Sequence, residues 1–421
     1  MSYRDLDSET LRTYIRERTD IFGGEARLDV YEYGRSDADG DGYVNHLYRV
    51  RDESTGRSCV VKQAKPYLKV FGEGRLPLEV GRNATETDIM KIRAGIVPQY
   101  VARLYHTDPE NNLYICEDCR DMAVMRYELV RGKYFPEFPR QIGEYMAKCG
   151  FYTSELFLDP ITHKRLACRF VNPHMRAIME KILFTQESFI PDDILASMEH
   201  DPVHEAASRF FWDKPKLRAE LLKLRDIYMK KSECLQHGDL HTSNILVGRG
   251  SMKVIDMEYT HMGPFSADAG YLGGNLLYPY IAWFFRREGS RESRARYRAE
   301  TLRCLRDTVR EYLRVFRECW EKDVRGIFRD SPEYLEFLLQ NYVTEMCGFT
   351  ASQIISRVGG LAELPDFDAI EDTADRNHAR VLALTSAYCI LMSWEKMRSV
   401  DDMIAAVVSV AENYPRVRDV V

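Results

Sequence analysis

The chain has 421 residues, 45% of them hydrophobic and 29% charged, with a formal net charge of -6. This length exceeds what one core usually fills, so two lobes are expected, and the composition excludes a disordered or fibrous chain. The acidic balance argues against general nucleic-acid affinity, and no apolar run of about 18 residues predicts a membrane span.

The N-terminal stretch MSYRDLDSETLRTYIRERTD is charged early and has no apolar h-region, which predicts neither a signal peptide nor an anchor and points to the cytoplasm. Downstream, YVNHLYRV and SCVVKQA read as strands separated by the turn RDESTGR, giving the first 115 or so residues a sheet-rich character. LYICEDC ends a further β-type run. Beyond about residue 139 the periodicity changes to three-to-four spacing in RQIGEYMAKCGFYTSELFL, KLRAELLKLRDIYMKK, SRARYRAETLRCLRDTVREYLRVFRECW and HARVLALTSAYCILMSWEKM, which predicts a mainly helical second part. Embedded in it, LQHGDLHTSNILVG and MKVIDMEYT are short β-type runs joined by GRGS, as in a small hairpin. The expected class is α+β and bilobal, with an N-terminal lobe over 1–118 and a helical C-terminal lobe over 119–421. The arginine-rich stretch near residues 286 to 317 is interleaved with Glu and Asp, which suits a solvated helix face.

His237, Gly238, Asp239, Leu240, His241, Thr242, Ser243 and Asn244 place an Asp five residues before an Asn, the spacing of a kinase catalytic loop. Asp239 is the candidate base for an attacking hydroxyl, Asn244 a metal ligand, and His237 a neighbour on the acceptor side. Twelve residues after Asn244, Asp256 and Glu258 are two apart on a β-type run, so period-two alternation is expected to put both carboxylates on one face, as hard ligands for Mg2+. An HGD triplet alone can be a turn, and an Asp two residues from a Glu is often a solvated strand edge. Their order and spacing together carry the phosphoryl-transfer reading.

Such chemistry also needs a lysine for the ATP phosphates. Lys62 closes the apolar run CVVK, with the alternative of a surface lysine on an edge strand. Glu86 and Asp88 are its candidate partners; they cannot both face it from one helix, and Glu86 is favoured. Gly40 and Gly42 precede a strand and leave room for backbone amides beside phosphates, with Asn45 also counted on the nucleotide side. The same stretch mimics a calcium loop through Asp37, Asp39, Asp41 and Gly42, but its twelfth position is Tyr48 where a bidentate Glu is needed. Glu117 and Asp118 fit a hinge whose backbone meets adenine. Cys116 and Cys119 form the one close pair among ten cysteines; no second pair completes a zinc site, so reduced thiols and no structural disulfide are expected.

These segments together resemble the methylthioribose kinase family, within the aminoglycoside phosphotransferase and choline kinase branch of the protein-kinase-like fold. The resemblance runs through VVKQAKPYLKVFGEG, VPQYVARLYHTD, CEDCRDM, FYTSELFLD, NPHMRAIMEKILFT, HGDLHTSNILV and VIDMEYTHMGPFSADAG, most of residues 30 to 365. It implies transfer of the ATP γ-phosphoryl group to the 1-hydroxyl of 5-methylthioribose, in methionine salvage, by a homodimer. Asp239 then matches the catalytic Asp, Asp256 and Glu258 the metal motif, Lys62 the nucleotide lysine, and Glu117 and Cys119 lie near adenine. In SRVGGLAEL, Arg357 matches the second of two family arginines, while Ser356 replaces the first and Glu363 stands where His is usual. The alternatives are a related 5-substituted or 5-deoxy pentose, or another hydroxyl acceptor such as an aminoglycoside or choline-type substrate, and, in a different class, a silent nucleotide-binding regulator, against which the retention of Lys62, Asp239, Asn244 and Asp256 speaks.

Overall fold

The computed structural model describes residues 5–33, 45–67, 78–185, 201–360 and 364–420. Gly40, Gly42, the calcium-like Asp37, Asp39 and Asp41, and Glu363 lie outside the described residues. In the N-terminal part, α1 (Ser8–Arg18) is started by a capping box in which Asp7 and Thr10 satisfy each other's backbone N–H groups. Five strands follow: β1 (Leu28–Glu32), β2 (His46–Asp52), β3 (Ser58–Gln63), β4 (Leu104–Asp108) and β5 (Leu113–Glu117). They form one antiparallel sheet in the order β1-β2-β3-β5-β4.

Alternation sorts the two faces of this sheet. Cys59 and Val61 of β3 join Tyr48, Val50, Leu113 and Ile115 in a small core closed by Leu11, Tyr14 and Ile15 of α1. Val60, Tyr114 and Cys116 point the other way and pack with Ile89 and Met90 of α2 (Arg82–Ile96), in the core shared with the rest of the chain. Lys62 continues the Val60 alternation, so its side chain enters the space between the sheet and α2. It lies on the central strand of the sheet and is 4% exposed, which rules out the edge-strand alternative.

The remainder is mainly helical. After β6 (Ala123–Val124) come α3 (Met125–Val130), α4 (Phe138–Tyr152), α5 (Pro160–Arg169), α6 (Pro173–Phe184), α7 (Pro202–Trp212) and α8 (Pro215–Lys230). Two small sheets then interrupt the helices. β7 (Cys234–Gln236) pairs with β10 (His261–Gly263), and the hairpin of β8 (Ile245–Val247) and β9 (Met252–Val254) extends β6. The GRGS link does make the hairpin turn, with Gly250 at φ +70°.

The described chain is completed by α9 (Ala267–Ala282), α10 (Arg291–Asp323), α11 (Pro332–Val358), α12 (Pro365–Asp368), α13 (Thr373–Leu391) and α14 (Val400–Asn413), with a last short turn of helix at Pro415–Val420. Every residue of α9 except Asp268 is buried, as expected of a helix apolar all round. Glycines let it approach α11 closely: a Cβ on Gly270 would meet the Phe349 Cβ at 2.3 Å. On α10 a single stripe from Tyr297 to Trp320 is buried, and its arginines pair outward, Arg310 with Asp401 and Arg314 with Glu311. This is the solvated face that the interleaved charges predict. Among the described residues no helix is long and apolar enough to cross a membrane, and all ten cysteines are free.

Candidate active site

The HGD loop is held from below by α9. Asp268, in its first turn, accepts the backbone N–H groups of His237 at 2.6 Å and Gly238 at 3.0 Å. Gly238 sits at φ +84°, and a Cβ there would lie 2.3 Å from the Tyr259 carbonyl oxygen. Only glycine fits both the left-handed backbone and this close approach of two loops. Asp239 follows, partly exposed, with His241 Nε2 3.3 Å from its Oδ2. His241 Nδ1 accepts the Ser243 N–H, so its proton sits on Nε2 and is directed at Asp239. Burial alone raises the Asp239 pKa, but His241 and Arg357 outweigh it and hold the carboxyl below its ordinary value, ionised at neutral pH.

Asn244 closes the loop: its Nδ2 donates to the Asp239 carbonyl at 3.0 Å, and its own carbonyl accepts the Ile255 N–H at 3.0 Å. That second bond ties the HGD loop to the segment carrying Asp256 and Glu258. The alternation expected for those two carboxylates is not what positions them. The strand ends at Val254, and Asp256 adopts a left-handed φ of +62°, a conformation Asp tolerates better than most residues. The kink, rather than a β-period, turns Asp256 and Glu258 toward each other.

Three carboxylates meet here, with one oxygen each of Glu86, Asp256 and Glu258 within 4.8 Å of one another. Lys62 stands among them, 2.7 Å from Glu86 Oε2 and paired also with Asp256. Glu86 Oε1 accepts the Met257 N–H at 3.0 Å, so α2 grips both the lysine and the acidic loop. Asp88 instead turns away to Arg169. Burial opposes the Lys62 charge, but Asp256 and Glu86 outweigh it and keep the amine protonated. Burial pushes Glu258 up to about 7, with Asp256 adding to the rise and Lys62 and Arg82 opposing it. Glu258 Oε1 is buried without a hydrogen-bond partner. Three carboxylates against the two cations Lys62 and Arg82 leave negative charge uncompensated, and hard oxygen donors with one bare oxygen fit a divalent cation.

Several expected residues have their side chains engaged within the protein. His237 is fully buried, Nε2 bonded to the Ile255 carbonyl and Nδ1 accepting the Asp239 N–H. Burial, with Arg93 next, lowers its pKa to about 4, so it is a neutral brace between the two loops and not an acceptor-side group. The Asn45 amide is likewise taken up within the protein, by Arg82 and Glu258. At the end of β5, the Glu117 side chain pairs with Lys253 at 2.9 Å, and the Cys119 thiol, half-buried, is pushed up to about 11 by burial and Glu117. Ser356 donates its hydroxyl to the Gln353 carbonyl on its own helix, whereas Arg357 interacts electrostatically with Asp239, Tyr271 and Tyr278.

Arg126 has no signal in the sequence and proves central. Buried on α3, it donates to Ser243 Oγ at 2.7 Å, bonds Asn275 and pairs with Asp366 at 2.9 Å. It fastens the turn that follows Asp239 to the segment following Arg357.

The Phosphotransferase enzyme family matches residues 191–314, the span holding both acidic motifs. A methylthioribose kinase of Geobacillus sp. (strain WCH70) is 31% identical over 365 residues, 86% of this chain and 87% of that one. Another, of Citrobacter koseri, is 30% identical over 407 residues, 96% of this chain and 98% of that one. The solved structure of a Plasmodium vivax ethanolamine kinase, 13% identical, covers 99% of this chain and 98% of its own with a TM-score of 0.43. With identity of this extent running along nearly the whole sequence, the chain belongs to the methylthioribose kinase family.

Proposed function

We propose that this protein transfers the γ-phosphoryl group of ATP to the 1-hydroxyl of 5-methylthioribose, with Mg2+ held by Asp256, Glu258 and the Asn244 amide oxygen. The observation that carries the reading is the junction of Lys62, Glu86 and Asp256 with the Asp239 loop, joined through the Asn244 carbonyl and the Ile255 N–H. It ties the loop of Asp239, read here as facing the hydroxyl, to the segment paired with Lys62, read here as facing the phosphates.

In this reading the acceptor hydroxyl donates its hydrogen bond to Asp239, which sets the oxygen in line with the γ-phosphorus. Because His241 and Arg357 hold Asp239 ionised, its part is to orient the hydroxyl and take its proton late, as suits a loose transition state. Arg357 offsets charge growing on the transferring group. Lys62 lies on the nucleotide phosphates, kept protonated by Asp256 and Glu86. Asp256, Glu258 and Asn244 would hold a divalent cation, whose charge would lower the phosphates' repulsion toward the incoming oxygen. Adenine is read at the hinge around Glu117 and Cys119, near the lobe boundary we place after Asp118. The placement in methionine salvage, in the cytoplasm and as a homodimer rests on the family resemblance.

ADP release with Mg-ATP over a panel of 5-substituted and 5-deoxy pentoses, choline and an aminoglycoside tests the acceptor. The reading requires methylthioribose to give the highest kcat/KM. A cationic acceptor ranking first, or no release above the acceptor-free rate, would overturn it.

A further inference from the structure

Arg82, the first residue of α2, is a fully engaged buried cation. Its Nη1 donates to the Glu79 carbonyl at 2.7 Å, and its Nη2 to the Lys65 carbonyl and to Asn45 Oδ1, both at 2.9 Å. Its Nε lies 3.2 Å from Asn45 Oδ1 and 3.2 Å from Glu258 Oε2. Asn45 in turn donates Nδ2 to that same Glu258 oxygen at 2.9 Å. Arg82 and Glu258 side chains are each 1% exposed.

The consequence for Glu258 is asymmetric. Asn45 Nδ2 donates to Oε2 and the Arg82 guanidinium lies beside the same oxygen, which together fix the carboxylate's rotation, while Oε1 is buried with no hydrogen-bond partner. A buried acceptor without a partner is costly unless something completes it. The bare oxygen belongs to the residue that clusters with Asp256 and Glu86. Asn45 lies just before β2 and Arg82 opens α2, both in the N-terminal lobe, whereas Glu258 follows β9 in the helical part. The clasp therefore joins the N-terminal part of the chain to the helical part.

We infer that Arg82 and Asn45 are positioning residues that clamp one oxygen of Glu258 and present the other, singly, to the divalent cation, so that cation affinity depends on contact between the lobes. The inference rests on the metal-dependent kinase reading above, and its test is read without any acceptor so that the two can fail separately.

The measurement is Mn2+ binding by electron paramagnetic resonance, with saturating non-hydrolysable ATP analogue, on wild type, Arg82→Gln, Arg82→Lys, Asn45→Ala and Glu258→Gln, alongside the thermal midpoint of each. Arg82→Gln and Asn45→Ala are expected to weaken Mn2+ binding about 10- to 100-fold, the range for groups that orient a metal ligand. Arg82→Lys should recover part of the loss, and Glu258→Gln should lose at least as much. If Arg82→Gln does not fold, Asn45→Ala, which keeps the arginine, decides. Mn2+ affinity within twofold of wild type in Asn45→Ala, or unchanged affinity in Glu258→Gln, overturns the inference.

Discussion

Replacing Gly238 by alanine strikes the point where the HGD loop and the acidic loop touch. The new Cβ would sit 2.3 Å from the Tyr259 carbonyl oxygen, so reaching the 3.4 Å of ordinary contact parts the loops by about 1 Å. Holding a non-glycine residue in the left-handed region costs about 1–2 kcal/mol, and forced overpacking about 1–3 kcal/mol. Together they amount to about 2–5 kcal/mol. A misplacement of about 1 Å costs about 10²-fold in rate when it moves a catalytic group, and Asp239 is the next residue. Gly250→Ala is the control. It shares a positive φ of +70° but has nothing within 4 Å of a Cβ, so it bears the backbone cost alone. Urea unfolding midpoints and kcat should show Gly238→Ala losing both stability and turnover, with Gly250→Ala losing a little stability and no turnover. Equal turnover in the two variants would refute the close-approach reasoning.

Breaking the Arg126 hub should be costly, because Asp366 is buried and its pKa is already raised by burial against the pull of Arg126. Arg126→Met is expected to lose about 3–5 kcal/mol in urea unfolding, and Arg126→Met with Asp366→Leu should regain much of it; an additive double variant would contradict the pairing. His261 supplies a pH test. Burial, with Arg176 next, lowers its pKa from 6.5 to about 4, so between those values the unfolded chain binds a proton that the folded chain does not. Relative to His261→Asn, wild-type stability should be full above pH 6.5 and fall by about 1.4 kcal/mol per pH unit as pH drops toward 4. A constant difference across pH 4 to 7 would show that His261 titrates normally in the fold.

The parts of the site that are readable along the chain are those whose spacing is itself the chemistry. Asp239 to Asn244 is one loop, and the DME triplet follows on the next segment, so short-range pattern suffices. Lys62 closes an apolar run, and alternation carries it to the face of β3 that meets Glu86 and Asp256. The long helices were legible because each buries one stripe at helical spacing, as α10 does from Tyr297 to Trp320. Where local pattern misleads, backbone geometry is the reason. Asp256 leaves the strand through a left-handed turn, which no β-period anticipates, and His237 is drawn beneath the loop by the Ile255 carbonyl instead of lining an acceptor space. The clasp of Asn45 and Arg82 on Glu258, and that of Arg126 on Ser243 and Asp366, join residues far apart in the chain. Buried arginines of this kind carry no local signature, since their partners are assembled by the fold.

The most direct test follows product by 31P nuclear magnetic resonance with Mg-ATP and 5-methylthioribose, in wild type and Asp239→Asn. The account predicts a new sugar-phosphate resonance, assignable to the 1-position, growing in step with ADP, and a rate about 10²- to 10⁴-fold lower in the variant. ADP without a matching sugar phosphate, phosphorylation at another hydroxyl, or an undiminished rate in Asp239→Asn would contradict it.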